Sequence, residues 1–166
     1  MAIIPTQQYS RLPVAELPLL DLTRNIGMAL TGSGSLSTWA ETFCGQAPHV
    51  FCGSDPDNPP AQDTYPLIEV FPLSDNAGRQ IDQYDAYLGL VCGIYDDSLE
   101  PVVYKDFELQ RGVLRLEEFF SRIKTVIASD ADLGDGYIAE IIGQRDDNVL
   151  FPFFVIGAHI KIIKPL

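Results

Sequence analysis

Residues 84–95 read YDAYLGLVCGIY, and this stretch decides the fold. Every second position from Tyr84 to Ile94 is apolar, which is the period of a β-strand with one face in a core. The positions between them, from Asp85 to Tyr95, are mixed and include further aromatic side chains. We therefore predict a long strand over residues 84–95 that carries apolar groups on both of its faces.

The chain that follows alternates between helical and strand periods. In Gly112–Ser129 apolar residues recur at three and four positions, which predicts an amphipathic helix. In Phe151–Ile163 they recur at every second position, which predicts a closing strand. Shorter strands are predicted at Tyr137–Ile142 and Val102–Tyr104, and turns at residues 129–136 and 146–148.

The chain before Tyr84 predicts two helices and two strands. Apolar spacing indicates a helix over Pro18–Leu30 and a short helix over Leu36–Phe43 with Ser35 as its N-cap. The intervening Gly-Ser stretch, residues 32–35, has the composition of a flexible connector. Strands are predicted at 48–53 and at 65–72, where the flanking prolines favour strand ends or a sheet edge.

This order of elements predicts an α+β fold rather than the regular βαβ alternation of a parallel sheet. We expect an antiparallel sheet of about four to five strands with helices packed on one face. The length of 166 residues suits a single domain, with residues 1–16 as an N-terminal arm and 17–166 as its core.

The chain is strongly acidic, with 23 Asp and Glu against 11 Lys and Arg and a net charge of −12. Residues 54–100 hold ten of the acids against one Arg, and so carry −9 of that charge. A protein with this excess of negative charge is not expected to bind nucleic-acid phosphates or anionic lipid, so we expect no membrane partner. The acidic stretch is either a solvated loop surface or a wall that repels a polyanion. Met1–Ser10 lacks a basic run followed by apolar residues, so we expect no secretory signal.

Catalytic and metal-binding patterns are missing from the sequence. His49 and His159 lie in predicted strands, no Gly-x-Ser-x-Gly elbow occurs, and the three cysteines have no disulfide or metal spacing. The acidic stretch 130–136 departs from a calcium loop at its fifth, sixth and twelfth positions. We therefore expect no enzyme, no cofactor and no metal site, and buried free thiols.

Two predicted strands, 84–95 and 151–163, carry apolar groups on the face away from the core. The predicted helices are too few and too short to cover both sides of a sheet, which favours self-association through the second face. The alternative is that these side chains pack under a helix or a loop of the same chain. The candidate subunit contacts are Tyr87, Val91, Tyr95, Phe153 and Val155.

The order of these segments resembles the tail-terminator, or tail-completion, proteins of long-tailed bacteriophages. The likeness covers most of residues 17–163. It lies in the order and the composition of the segments, not in an invariant motif. An amphipathic helix is followed by the short strand Val50-Phe51-Cys52 and by a Pro-rich loop. The strand opening Tyr65-Pro66-Leu67-Ile68-Glu69-Val70 is similar to the tyrosine-proline opening in that family. A polar loop, a long strand, a long helix and a closing strand complete the series.

The resemblance implies a virion protein of the tail or neck that forms a ring, usually of six copies. Such a ring caps the tail tube, contacts the head connector or stopper protein and lets DNA pass without binding it. A lumen rich in carboxylates would repel phosphates, and Asp75, Asp82 and Asp85 are candidates to line it. The resemblance implies no catalytic residues. The sequence departs from a compact member of that family in its long 96–111 segment and in its N-terminal arm.

Three alternatives remain open on the sequence alone. The first is another neck or head-closure ring protein, which would present the same order of segments. The second is a small cation- or ligand-binding domain, with a site at Asp130, Asp132 and Asp135. The third is a monomeric adaptor that adds a partner strand to the edge at residues 65–72.

Overall fold

The computed structural model describes residues 18–53, 60–75, 83–145 and 151–165. The N-terminal arm predicted for residues 1–16 and the turn predicted at 146–148 lie outside these ranges. The helices are α1 Pro18–Gly32, α2 Gly34–Cys44 and α3 Arg111–Asp130. The strands are β1 His49–Phe51, β2 Leu67–Asp75, β3 Gln83–Tyr95, β4 Pro101–Tyr104, β5 Phe107–Gln110, β6 Tyr137–Arg145 and β7 Phe153–Pro165.

The predicted α+β class is confirmed. Five strands form one sheet in the order β1-β2-β3-β7-β6, and β4 pairs with β5 in a separate hairpin. Neighbouring strands of the large sheet are antiparallel except β1, which runs parallel to β2. The long ladder between β3 and β7 joins the two strands that carry the clearest apolar alternation.

A single core lies between the helices and one face of the sheet. The β3 side chains that alternate from Tyr84 to Ile94 are all buried in it, as the stretch 84–95 predicts. Helices α1, α2 and α3 all contribute apolar stripes to this cluster. Trp39 of α2 stacks on Phe119 of α3 with ring centroids 5.3 Å apart, which ties the helices to each other. The helices therefore lie on one side of the sheet.

The link between the first two helices differs from the prediction of a flexible connector. Ser33 is the only non-helical residue there, and its hydroxyl accepts the Leu36 N–H, so Ser33 rather than Ser35 caps α2. Gly34 and Ser35 already form the first turn of α2. Composition favoured a loop, but one well-placed capping hydroxyl is enough to restart a helix immediately.

Strand β2 does not end at Pro72, as the flanking prolines suggested. It continues to Asp75 through a bulge, because Pro72 pairs with Leu88 whereas Ser74 already pairs with Tyr87. A bulge inserts one unpaired residue and reverses which side chains face each side of the sheet beyond it. On its other side β2 pairs with β1 over Leu67–Glu69 only. The edge at residues 65–72, to which the adaptor alternative would add a partner strand, is therefore occupied by β1 at its start.

Candidate assembly surface

The large sheet has one face without helices among the described residues, and we name it the open face. It consists of the β2, β3, β6 and β7 side chains that alternate with those of the core. The structure brings together there all five candidate subunit contacts, each half-buried: Tyr87, Val91, Tyr95, Phe153 and Val155. Their role in assembly stays a prediction, but their common placement follows from the strand period.

At one end of the open face the chain covers part of the surface itself. Tyr65, just before β2, lies 5.1 Å from Phe153 by ring centroid, and Phe153 lies 5.4 Å from Tyr95. Burial raises the pKa of the Tyr65 hydroxyl above its ordinary value. Phe153, and Tyr95 beside it, therefore pack in part against a segment of the same chain, which is the alternative to a subunit contact. The middle of the open face is the more accessible portion.

Aromatic rings rest on glycines of the open face. A Cβ added to Gly89 would overlap the Phe71 ring, and one added to Gly93 would come within 2.8 Å of the Tyr65 ring. The missing side chain lets each ring approach the β3 backbone closely. Gly157 of β7 is on the same face, and no described atom lies within 4 Å of its Cβ position.

A groove of about 720 Å³ crosses the middle of the open face. Its floor includes Gly157, and its charged lining groups are Lys161, Arg145 and Glu140. Its apolar walls are Phe71, Leu73, Tyr87, Val91, Ile142 and Val155. The groove is apolar in its walls, and both of its cations are paired with carboxylates. Arg145 forms an ion pair of 3.0 Å with Glu117 of α3, on the helix side of the sheet.

Lys161 is held in place by two neighbours on β3. Its Nζ lies 3.5 Å from Asp85 Oδ2 and 5.6 Å from the centre of the Tyr87 ring. Hydrogen bonds from the ammonium to Tyr87 and Asp85 raise the pKa of Lys161. The side chain is therefore charged at any physiological pH.

The three acids predicted to line a channel do not share one surface. Asp85 belongs to the open face and pairs with Lys161, whereas Asp75 lies beyond the β2 bulge and pairs in register with Ala86 of the core side. Asp75 Oδ2 accepts a hydrogen bond of 3.1 Å from the Tyr84 hydroxyl. Asp82 lies outside the described residues. The structure thus separates Asp75 from Asp85.

Two of the three candidate cation ligands, Asp130 at the end of α3 and Asp132 in the loop after it, accept hydrogen bonds from neighbouring groups of the chain. Asp132 Oδ1 accepts the Gly134 N–H at 2.9 Å, and Asp130 Oδ1 accepts the Ser129 hydroxyl at 2.7 Å. Across residues 18–53, 60–75, 83–145 and 151–165, no three His, Cys, Asp or Glu side chains are grouped as metal ligands would be. His49 and His159 are separated by two intervening strands.

The hairpin of β4 and β5 is the feature that sequence reasoning missed, since only its first strand was predicted. Its strands join through Lys105 and Asp106, and Lys105 has a positive φ of 55°. Cross-strand pairs place four apolar side chains on one hairpin face: Val102, Tyr104, Phe107 and Leu109. Val102 and Leu109 are half-buried at the base, whereas Tyr104 and Phe107 at the tip are 54% and 62% exposed. The period-two alternation across a two-residue turn was the signal available in the sequence.

A buried ion cluster anchors this hairpin to the body. The Asp96 carboxylate lies at the end of β3 and accepts two hydrogen bonds from Arg111 and one from Arg115, at 2.7–3.1 Å. The Ser98 N–H donates to the same carboxylate at 3.0 Å, which fixes the entry to the hairpin. The Asp96 N–H donates to Pro152 at the start of β7. Sheet, hairpin and α3 therefore meet at one charged group.

The cysteines differ in exposure, contrary to the expectation that all are buried. Cys92 is buried in the core, Cys44 is half-buried and Cys52 is exposed. Burial raises the pKa of Cys44 to about 11, against a smaller lowering by Arg115, and burial raises the pKa of Cys92 further. Neither Cys44 nor Cys92 supplies a thiolate nucleophile near neutral pH.

Comparison with known proteins adds no family: neither a scan against protein-family models nor a search of curated proteins found a match. Among the described helices, none has both the length and the apolar character needed to cross a membrane.

Proposed function

We propose that this chain is a virion structural protein, a tail terminator whose copies assemble into a ring, normally of six. The ring caps the tail tube, joins it to the head connector or stopper protein and lets DNA pass. The observation that carries the proposal is the open face, a half-apolar sheet surface opposite a complete helix layer. The order of segments described above supports the particular class.

The physical case for assembly rests on uncovered apolar area. A monomer rarely leaves a continuous apolar patch of several hundred Å² in water, and a partner normally covers it. Tyr87, Val91 and Val155 all lie on the open face and line its groove. A ring further requires a head-to-tail contact in which two different surfaces of the same chain meet.

The channel proposal follows from charge and now favours Asp75. Asp85 shares the open face with Tyr87, so a ring contact through that face would cover Asp85 rather than present it to a lumen. Asp75 is exposed at the end of β2. We expect Asp75→Lys rings to retain duplex DNA in a low-salt gel-shift assay, whereas native rings and Asp75→Asn rings do not. Equal, negligible retention by all three would remove Asp75 from the lumen.

We expect Tyr87→Glu to weaken self-association because it places a carboxylate in the middle of the open face. Burying a carboxylate at an interface costs several kcal/mol of desolvation, which attraction to the neighbouring Lys161 offsets only in part, so the apparent dissociation constant should rise about 100-fold or more. Native mass spectrometry over a concentration series measures this directly. Met28→Glu is the matched control, because Met28 is 65% exposed on α1, on the helix side.

The functional test uses the native chain and purified tail tube protein. A terminator added to polymerising tube protein should shorten the tubes and appear as a ring at one end in electron micrographs, and Tyr87→Glu should do neither. A ring that binds the connector but leaves tube length unchanged would identify a different neck protein. A chain that stays monomeric at high concentration and leaves the tubes unchanged would contradict the proposal.

A further inference from the structure

We infer that the N-terminal arm, residues 1–16, turns back along α1 and binds through its apolar residues in a groove between α1 and β1 of the same copy. We name this groove, of about 590 Å³, the α1 groove. It lies apart from the open-face groove and shares no lining residue with it. The inference concerns one copy of the chain and does not depend on the proposed function.

The α1 groove follows almost the whole length of the helix and is lined mainly by apolar groups. Helix α1 lines it from Leu20 to Gly32, and the first two strands and the residue after β1 contribute Val50, Phe51, Cys52 and Val70. Leu20 and Met28 are 48% and 65% exposed in it. Large apolar side chains that line one continuous groove are a surface that an apolar segment can cover.

The hydroxyl and guanidinium groups that line the α1 groove already have partners within the helix. The Thr23 and Thr31 hydroxyls donate to carbonyls one turn earlier in α1, at 2.8 and 2.9 Å. Arg24 forms an ion pair of 3.1 Å with Asp21. Charged or polar groups of an occupant therefore find little to pair with here, and burial of apolar side chains is the main source of binding.

A glycine in the middle of α1 lines the same groove. Glycine weakens the interior of a helix relative to alanine, because it loses more conformational freedom on folding. No described atom lies within 4 Å of the Gly27 Cβ position, so contacts among the described residues do not require a glycine there. A segment packed closely against the helix backbone would require one.

The place where the arm joins the helix makes the arm the natural occupant. Helix α1 begins at Pro18, two residues before Leu20 at one end of the groove. From Leu20 to Gly32 the helix is about 18 Å long, a distance that about six extended residues span. The sixteen residues of the arm are therefore enough both to reverse direction and to follow the groove.

The composition of the arm matches the groove. Its charged side chains are Arg11 and Glu16, so their charges cancel, and the net charge of −12 on the whole protein does not repel it. Attachment beside the groove gives the arm of the same copy an effective concentration of roughly millimolar, an advantage over a free second molecule. The large apolar residues of the arm are Ile3, Ile4, Tyr9, Leu12 and Val14.

The Cys52 thiol provides a measure of how far the groove is covered. Cys52 lines the groove and is exposed among the described residues, whereas Cys44 is half-buried and Cys92 is buried. We expect Cys52 of the native chain to react slowly with the thiol reagent DTNB. The arm variant Ile3→Ser, Ile4→Ser, Leu12→Ser should react at least about tenfold faster, the effect of removing one well-buried aliphatic side chain.

A change on the groove side should have the same effect. Gly27→Gln keeps a good helix former in α1 and places a side chain where the arm binds, so the Cys52 thiol should again react faster. Gly34→Gln is the matched control, because Gly34 lies in α2 and likewise has no described atom within 4 Å of its Cβ position. Gln7→Ser with Gln8→Ser is the control for the arm, since it leaves the apolar residues in place.

Disulfide formation locates the arm directly. Ile4→Cys, Tyr9→Cys and Leu12→Cys each place one thiol in the arm and retain Cys52. Under mild oxidation of the dilute protein, at least one of them should form an intramolecular disulfide with Cys52, which peptide mapping by mass spectrometry identifies. The same variants carrying Cys52→Ser should form no such bond.

Equal thiol reactivity of the native chain and the arm variant overturns the inference, and so does the absence of a disulfide at all three arm positions. Disulfides that join two copies, seen as a doubled mass without reductant, would show that the arm binds the groove of a neighbour, and the same-copy contact would be wrong. Tube shortening and ring formation are measured separately, so the proposed function stands or falls independently of these results.

Discussion

Replacing Asp96 by alanine is expected to lower the free energy of unfolding by about 3 kcal/mol. Asp96 accepts hydrogen bonds from two guanidinium groups and one backbone N–H, and its side chain is almost completely buried. Removing it leaves Arg111 and Arg115 facing one another without the carboxylate that neutralises them. Both arginine side chains keep partial contact with solvent, so the loss falls at the lower end of the range for broken buried ion pairs.

The pH dependence of this loss follows from the pKa of the same group. Burial alone would raise the pKa of Asp96, but the hydrogen bonds and charges of Arg111, the Ser98 N–H and the charge of Arg115 together lower it. A carboxyl whose pKa is lowered by folding stabilises the protein fully above its unfolded value of about 3.9. The contribution is lost as the pH falls through the folded pKa. The stability difference between native protein and Asp96→Asn should therefore be constant from about pH 5 to 8 and shrink below about pH 4.

Urea unfolding followed by circular dichroism measures both effects. Asp97→Ala is the matched control, since Asp97 is adjacent in sequence and exposed, and it should change stability by less than about 0.5 kcal/mol. Equal losses for the two variants, or a difference that persists unchanged at pH 3, would show that the cluster does not stabilise the fold as described.

Replacing Phe119 by alanine is expected to cost about 3–5 kcal/mol, the range for truncating a fully buried aromatic residue. Phe119 is completely buried in α3, and its ring stacks on Trp39 with an interplanar angle of 11°. Truncation opens a cavity between α2 and α3, because the Phe119 ring is completely buried against Trp39. We expect the loss in chemical unfolding to be accompanied by a change in Trp39 fluorescence, Trp39 being the sole tryptophan of the chain.

A second phenylalanine provides the comparison. Phe43 also contacts Trp39, with ring centroids 5.4 Å apart, but it is 42% exposed. Phe43→Ala should therefore cost only about 1 kcal/mol, because less apolar area returns to water and no closed cavity forms. Equal losses for the two variants would contradict the expectation that the buried Phe119 contributes more to stability than the partly exposed Phe43.

The sequence predicts helix or strand correctly wherever a hydrophobic pattern persists over many residues. The twelve-residue alternation at 84–95 and the three-four spacing at 112–129 identified β3 and α3 to within one residue at either end. The parallel pairing of β1 was not predictable, because three residues carry no period and direction is set by the crossover through Gln62–Thr64. Strand β5 was missed because the alternation of Phe107–Gln110 extends over only four residues, too few to distinguish a strand from a loop.

The candidate surface was predictable in part, for the same reason. Alternation alone places Tyr87, Val91 and Val155 on one face. It could not reveal that Tyr65 folds back over Gly93, which depends on the path of the preceding loop. Alternation also gives the wrong face for Asp75, because the bulge at Pro72–Ser74 reverses which β2 side chains face each side of the sheet. Asp75 and Asp85 therefore lie on opposite sides of the sheet.

The ladder between β3 and β7 also governs when the fold can form. It pairs Tyr95 with Phe153 and Gln83 with Pro165, segments separated by the hairpin, α3 and β6. During translation β3 emerges long before its partner, so the central strand of the sheet lacks one neighbour until β7 has left the ribosome. Such non-local pairing also slows folding, because a long loop must close before its contacts form. The apolar strand β3 therefore remains without this neighbour during synthesis, and a chain in that state is open to aggregation and to chaperone binding.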